Sequence, residues 1–247
     1  MSGDDIPDDV RAVLALANAR FSAVEPAAAP PATAAPPGAS RAPAPKRSVA
    51  ELERMGVPPR KAMQICRGID PTPAVCFARE FLAAYERGVD DAGDLGWTPP
   101  PENMLILSGG IGTGKTLAAI EVLVGARVRG VGRYRWSADE LPLFLHTVEF
   151  VAMGLYEHEA ERRRIKRAPV LVLDDLGKEH QDKVGISSRI CHWLVNARHE
   201  AMGITVITTE LSADAFAERY GAATFDRIVQ AGAWYDIEGG SLRGQGR

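Results

Sequence analysis

The run Leu107-Ser108-Gly109-Gly110-Ile111-Gly112-Thr113-Gly114-Lys115-Thr116 limits what this chain can fold into more than any other stretch. It reads Gly-x4-Gly-Lys-Thr, the P-loop pattern, and its flanks give that pattern physical meaning. Met104-Leu105-Ile106-Leu107 before it is an apolar run of the buried-strand type, and Leu117-Ala118-Ala119-Ile120-Glu121-Val122-Leu123 after it opens a helical period. The glycines let the backbone turn back on itself. Successive N–H groups from Gly109 through Ile111, Gly112, Thr113 and Gly114 then point inward as a nest for phosphate oxygens. The following helix adds the positive end of its dipole at the same spot. Lys115 is placed to reach the β- and γ-phosphates, and the Thr116 hydroxyl to ligate Mg²⁺. The expected ligand is a nucleoside triphosphate.

Such a site needs a carboxylate partner, because the Mg²⁺ that bridges the phosphates takes an Asp into its shell. Val170-Leu171-Val172-Leu173-Asp174-Asp175 supplies four apolar residues of a buried strand and then two acids. Ligands of open α/β sheets bind beyond the carboxyl ends of the strands, where these acids fall. Asp174 is expected to hold the Mg²⁺ shell, and Asp175 to orient or deprotonate the attacking water. A second acid next to the first points to hydrolysis and away from phosphate transfer to a bound acceptor.

The rest of the chain fits a single α/β domain with an appendage. Its 247 residues carry 46% hydrophobic and 25% charged side chains and a net charge of −3, which argues against a globally basic nucleic-acid coat. Three cysteines, Cys66, Cys76 and Cys191, form no C-x-x-C pair, so a disulfide framework or zinc site is not expected and a reducing compartment is. No apolar run approaches the roughly 18–20 residues of a membrane span, and Asp4, Asp5, Asp8 and Asp9 give the wrong charge for a signal peptide. A cytoplasmic location follows as the expectation.

In chain order, residues 1–25 hold an amphipathic helix whose stripe is Val10, Val13, Leu14, Ala17, Phe21 and Val24. It reads either as a partner-binding helix or as one that folds back on the body. Residues 26–47 are Ala/Pro-rich and read as an extended, disordered linker. Residues 48–95 form a small helical region. Ser48-Val49-Ala50-Glu51 is a capping box, and further helices are predicted over 59–66 and 73–85. From 96 to 247 strand and helix alternate, the sign of a parallel sheet between helical layers. The strands are predicted near 104–107, 133–136, 170–173, 204–208 and 234–237. A second capping box, Ser137-Ala138-Asp139-Glu140, predicts a helix toward Met153, and a long helix is predicted from Ile186 to Met202. Arg162-Arg163-Arg164-Ile165-Lys166-Arg167 is either a set of phosphate contacts for single-stranded DNA or a solvated helix end.

Asp174-Asp175-Leu176-Gly177-Lys178-Glu179 resembles the D-D-L-G-x-E signature of DnaC/IstB-type AAA+ ATPases. The segment from Val195-Asn196-Ala197-Arg198 through Ile207-Thr208-Thr209-Glu210-Leu211-Ser212 is similar to the family's N-x-R-Y…P-T-I-I-T-T-N-L-S stretch. Asp226-Arg227-Ile228 and Gly240-Ser241-Leu242-Arg243 match two further elements. The resemblance implies an AAA+ type P-loop NTPase, three-layered around a five-stranded parallel sheet and without a helical lid, that binds ATP and Mg²⁺. It also implies assembly into a homo-oligomer, with Arg227 as an arginine finger in a neighbouring subunit's site and Arg243 as a sensor contacting the γ-phosphate. Where the family has Asn, this chain has Glu210. An ionised carboxylate donates no hydrogen bond, so Thr209 (or Thr208) is expected to supply the sensing donor instead. The implied partner is a replicative helicase, engaged through the N-terminal region. A transposase, as for an IstB-like helper, and an ATP-gated adaptor with little hydrolysis are the alternatives.

Overall fold

The computed structural model describes residues 47–92, 102–128, 140–152, 158–179 and 185–241. The N-terminal amphipathic segment, the linker up to residue 46, the strand expected at 133–136, and both Leu242 and Arg243 lie outside them.

Five parallel strands make one sheet, as expected: β1 (Met104–Gly109), β2 (Leu143–His146), β3 (Val170–Leu176), β4 (Ile204–Thr209) and β5 (Gly232–Ile237). Their order is β2-β3-β4-β1-β5. The side-chain alternation of a strand sends neighbours to opposite faces, and here both faces are buried. Met104, Ile106, Leu171 and Leu173 join one apolar cluster. Leu105, Leu107, Val170 and Val172 join the other.

The second cluster is closed by three helices that precede the sheet, α1 (Val49–Arg54), α2 (Pro59–Arg67) and α3 (Pro73–Ala92), together with α4 (Lys115–Val128). The capping box forms as predicted: Ser48 accepts from the Glu51 N–H, and Glu51 accepts from the Ser48 N–H. α3 runs on past Tyr85 to Ala92. It packs closely against α4, where a side chain on Gly125 would meet Leu82 at 2.8 Å. The helical region therefore shares one core with β1 and α4. The other face is covered by α6 (Glu159–Arg167), α7 (Ile186–Ala201), α8 (Ala213–Tyr220) and α9 (Ala222–Ala231).

One expectation is corrected. The stretch after the second capping box is predicted as helix to Met153, yet Leu143–His146 is the edge strand β2, and only Thr147–Ala152 is helical (α5). Pro142 opposes a helix running through that point. Leu143, Phe144 and Leu145 are all buried, and they pair in parallel with Leu171, Val172 and Leu173 of β3. The Phe144 N–H also donates to the Met55 carbonyl at 2.7 Å, which ties this edge to the α1–α2 turn. Tertiary pairing outweighs the local cap.

Candidate functional site

The strand order sets the site. β1 ends in the P-loop and β3 ends in the acidic pair, with β4 between them, so all three carboxyl ends open on one side of the sheet. A cavity of about 660 Å³ lies there. The P-loop lines it from Ile111 to Thr116, with Asp175, Lys178 and Glu210 opposite.

Backbone sterics require glycine at Gly109 and Gly112 of the loop. Gly109 has φ 136°, and a Cβ there would stand 2.4 Å from the Ile237 carbonyl oxygen. Gly112 has φ 84°, and a Cβ there would stand 2.2 Å from Ser241 Oγ. The chain after β5 thus packs directly on the loop. Lys115 is buried, and its Nζ donates to the Gly109 and Gly110 carbonyls at 2.6 and 2.7 Å. Burial pulls its pKa below the ordinary lysine range, against the attraction of Glu210, Asp175 and Asp174.

Asp174 is 1% exposed. Its Oδ1 accepts from Thr208 Oγ1 at 2.6 Å, and its Oδ2 accepts from Thr116 Oγ1 at 3.3 Å. Burial raises its pKa, while the Thr208 and Thr116 hydroxyls work the other way. Asp175 stands at φ 61°, a left-handed conformation uncommon outside glycine, at a shift in the β3–β4 register between Leu173 and Leu176. The bulge re-aims the strand end, and Asp175 is half-buried on the cavity wall. Its N–H donates to the same Thr208 hydroxyl at 2.9 Å, so one hydroxyl orders both acids.

Oxygen donors from Thr116 and Asp174 are a donor set that suits Mg²⁺. His146 adds an imidazole, its Nδ1 3.7 Å from Asp174 Oδ2. His146, Asp174 and Asp175 each offer a ligand atom within 4.8 Å of the others. Sequence reasoning misses His146 because the segment carrying it reads locally as helix. It also misses Arg60, Lys61 and Gln64 of α2, which line the cavity. Their cations are visible in the sequence, but only the packing of α2 into the shared core brings them to the P-loop.

Other expected residues lie elsewhere. Thr209 is fully buried. Its hydroxyl donates to the Leu176 carbonyl at 2.6 Å and accepts from the Leu211 N–H at 3.1 Å, and it does not line the cavity. Arg227 sits half-buried on α9 and is not part of the cavity wall either. Glu179 is buried and accepts from the Gly177 N–H, from Arg219 and from the Tyr220 hydroxyl, which fastens the β3 loop to α8. The basic cluster forms α6. Arg163 pairs with Glu159, Arg164 with Glu161, Lys166 with Glu200 and Arg167 with Glu140, while Arg162 lies 5.0 Å over the Trp193 ring. Each of those cations already has a partner within the chain.

Residues 78–247 match the family described as IstB-like ATP binding protein. Among solved structures, the DnaC helicase loader aligns with a TM-score of 0.50 at 20% identity, over 69% of this chain and 94% of that one. DnaI aligns with a TM-score of 0.45 at 22% identity, over 72% and 89%. AMPPCP-bound DnaA from Aquifex aeolicus aligns with a TM-score of 0.41 at 20% identity, over 63% and 46%. None of the curated proteins compared matches the sequence. No helix among the described residues is long and apolar enough to cross a membrane.

Proposed function

The chain belongs to the family of IstB-like ATP binding proteins, AAA+ P-loop ATPases, and on that premise we propose that it hydrolyses ATP to drive the loading of a replicative helicase onto DNA. The observation that carries the hydrolytic part is one cavity that gathers Lys115 and Thr116 from the start of α4 and Asp175 from the end of β3, with Asp174 beneath it.

In this reading the N–H groups from Gly109 to Gly114 cradle the phosphates and Lys115 neutralises them. Thr116 and Asp174 hold Mg²⁺, which when bound supplies charge neutralisation at the phosphates. Asp175 accepts a proton from, or orients, the attacking water, and the bulge and the Thr208 hydroxyl hold it in place. Arg227 acts on a neighbouring subunit's nucleotide and Arg243 on its own. Residues 1–25 then serve as a helicase-binding helix on the 26–47 tether, and residues 48–247 as the motor. The fold shared with the DnaC helicase loader is what supports a loader over other ATPases. The family match itself supports a second reading, an IstB-like transposition helper whose partner is a transposase.

Affinity capture with the full chain and with a chain lacking residues 1–45 tests the choice. A loader retains a replicative helicase in an ATP-dependent manner, and the truncation abolishes capture. Retention of a transposase instead selects the second reading. Absence of ATP turnover in both chains, with and without single-stranded DNA, rejects hydrolysis and leaves an ATP-gated adaptor.

A further inference from the structure

Glu210 directly follows β4 on the cavity wall, at the place where the resemblance expects an amide. An ionised carboxylate there donates nothing to a phosphate oxygen and repels it. The two neighbouring hydroxyls do not compensate, since Thr208 donates to Asp174 and Thr209 to the Leu176 carbonyl. The donor at this wall is Lys178. Its Nζ lies 2.8 Å from Glu210 Oε1 and 3.1 Å from Asp175 Oδ1, and its side chain lines the same cavity as Lys115 and Thr116.

We propose that Lys178 replaces the sensing amide: its ammonium contacts the terminal phosphate of ATP, and Glu210 is the anchor that holds it beside Asp175. An ammonium carries three donors, and the two carboxylates take two of them, which leaves one for a phosphate oxygen. The side chain is 43% exposed, so the charge faces the cavity and is not sealed behind its partners. Lys178 also offsets the two carboxylates that a polyanion meets on that wall. Burial opposes the charge on Lys178, yet its bonds to Glu210 and Asp175 outweigh this and hold the pKa above the ordinary lysine range.

This inference rests on the P-loop reading, and equilibrium binding separates the two. Calorimetry compares Mg-ADP with a non-hydrolysable Mg-ATP analogue for wild type, Lys178→Ala, Lys178→Gln, Lys178→Arg and Lys178→Ala/Glu210→Asn. The wild type is expected to prefer the triphosphate. Lys178→Ala and Lys178→Gln are expected to keep ADP affinity, which also reports an intact fold, and to lose at least about tenfold of that preference, the loss of one charge-assisted hydrogen bond. Lys178→Arg keeps most of it. The double variant regains much of it, because the repelling carboxylate is gone and an amide donor stands in its place. A purely structural salt bridge predicts no such recovery. Unchanged preference in both neutral variants overturns the proposal, as does a double variant no better than Lys178→Ala. A wild type that binds both nucleotides equally sinks this inference alone, and one that binds neither sinks the P-loop reading with it.

Discussion

Asp174 and Asp175 are neighbours in sequence with opposite surroundings. Asp174 is sealed beneath Thr116 and Thr208, where burial raises its pKa. Asp175 is turned to the cavity by a left-handed backbone that asparagine also tolerates. Asp175→Asn therefore keeps the fold and the hydrogen bond from its N–H to Thr208, removes the proton acceptor, and turns the ion pair with Lys178 into a neutral hydrogen bond. Nucleotide affinity is expected to stay within about twofold, while turnover falls by roughly 10²–10⁴, the usual contribution of a general base. Steady-state turnover beside calorimetric affinity checks it. Wild-type turnover would remove Asp175 as the water-activating acid, and Glu179 does not take its place because it is already bonded to Arg219 and Tyr220. Lys115→Ala should show the converse, a loss of ATP affinity of at least about tenfold from two missing charge-assisted contacts.

At the scale of elements, Arg198 of α7 holds several together. It is fully buried with no carboxylate against it among the described residues, and its Nη1 donates to the Ile165, Lys166 and Ala168 carbonyls at the C-terminal end of α6. Its Nη2 donates to the Ile204 carbonyl and its Nε to Thr205 Oγ1 at the start of β4. The negative end of the α6 dipole and these acceptors offset the buried charge. Burial pulls the pKa down to about 9, which leaves the guanidinium charged at neutral pH. Gly203 is required beside it, because a Cβ there would stand 2.3 Å from the guanidinium. Arg198→Met leaves several buried carbonyls unpaired at about 1–3 kcal/mol each, so a loss of at least about 3 kcal/mol is expected in urea unfolding. Arg198→Lys should recover little, since a point ammonium does not reproduce a planar fork. A shift below about 1 kcal/mol would mean that water satisfies these carbonyls.

For the whole molecule, Arg227 stands on α9 apart from the cavity wall, so in the proposed reading it acts on a neighbouring subunit's nucleotide and not on its own. Arg227→Ala is expected to bind ATP normally and to lose about 10³–10⁵ in turnover. Mixed with Lys115→Ala, it should recover part of the rate, because some interfaces pair the intact P-loop with the intact arginine. Sedimentation must first show that the two co-assemble. No recovery after confirmed co-assembly would make Arg227 structural or confine it to its own site.

Local pattern alone was enough for features whose physics is local. The P-loop needs glycines at set positions, a strand before it and a helix after it, and all of these lie within one continuous stretch from Met104 to Val128. The acids at the end of an apolar run, the Ser48 capping box and the α7 period were legible for the same reason. Residues whose roles depend on partners far along the chain were not. The strand β2 exists because Leu143–His146 pairs with β3 and Phe144 reaches Met55, against a local helix signal. His146 arrives at Asp174 with that strand. Arg60, Lys61 and Gln64 reach the cavity only because α2 packs into the core of the sheet. Thr208 and Thr209 are adjacent and chemically alike. Strand alternation and the β3 bulge decided that the first orders the acids while the second closes off a backbone carbonyl.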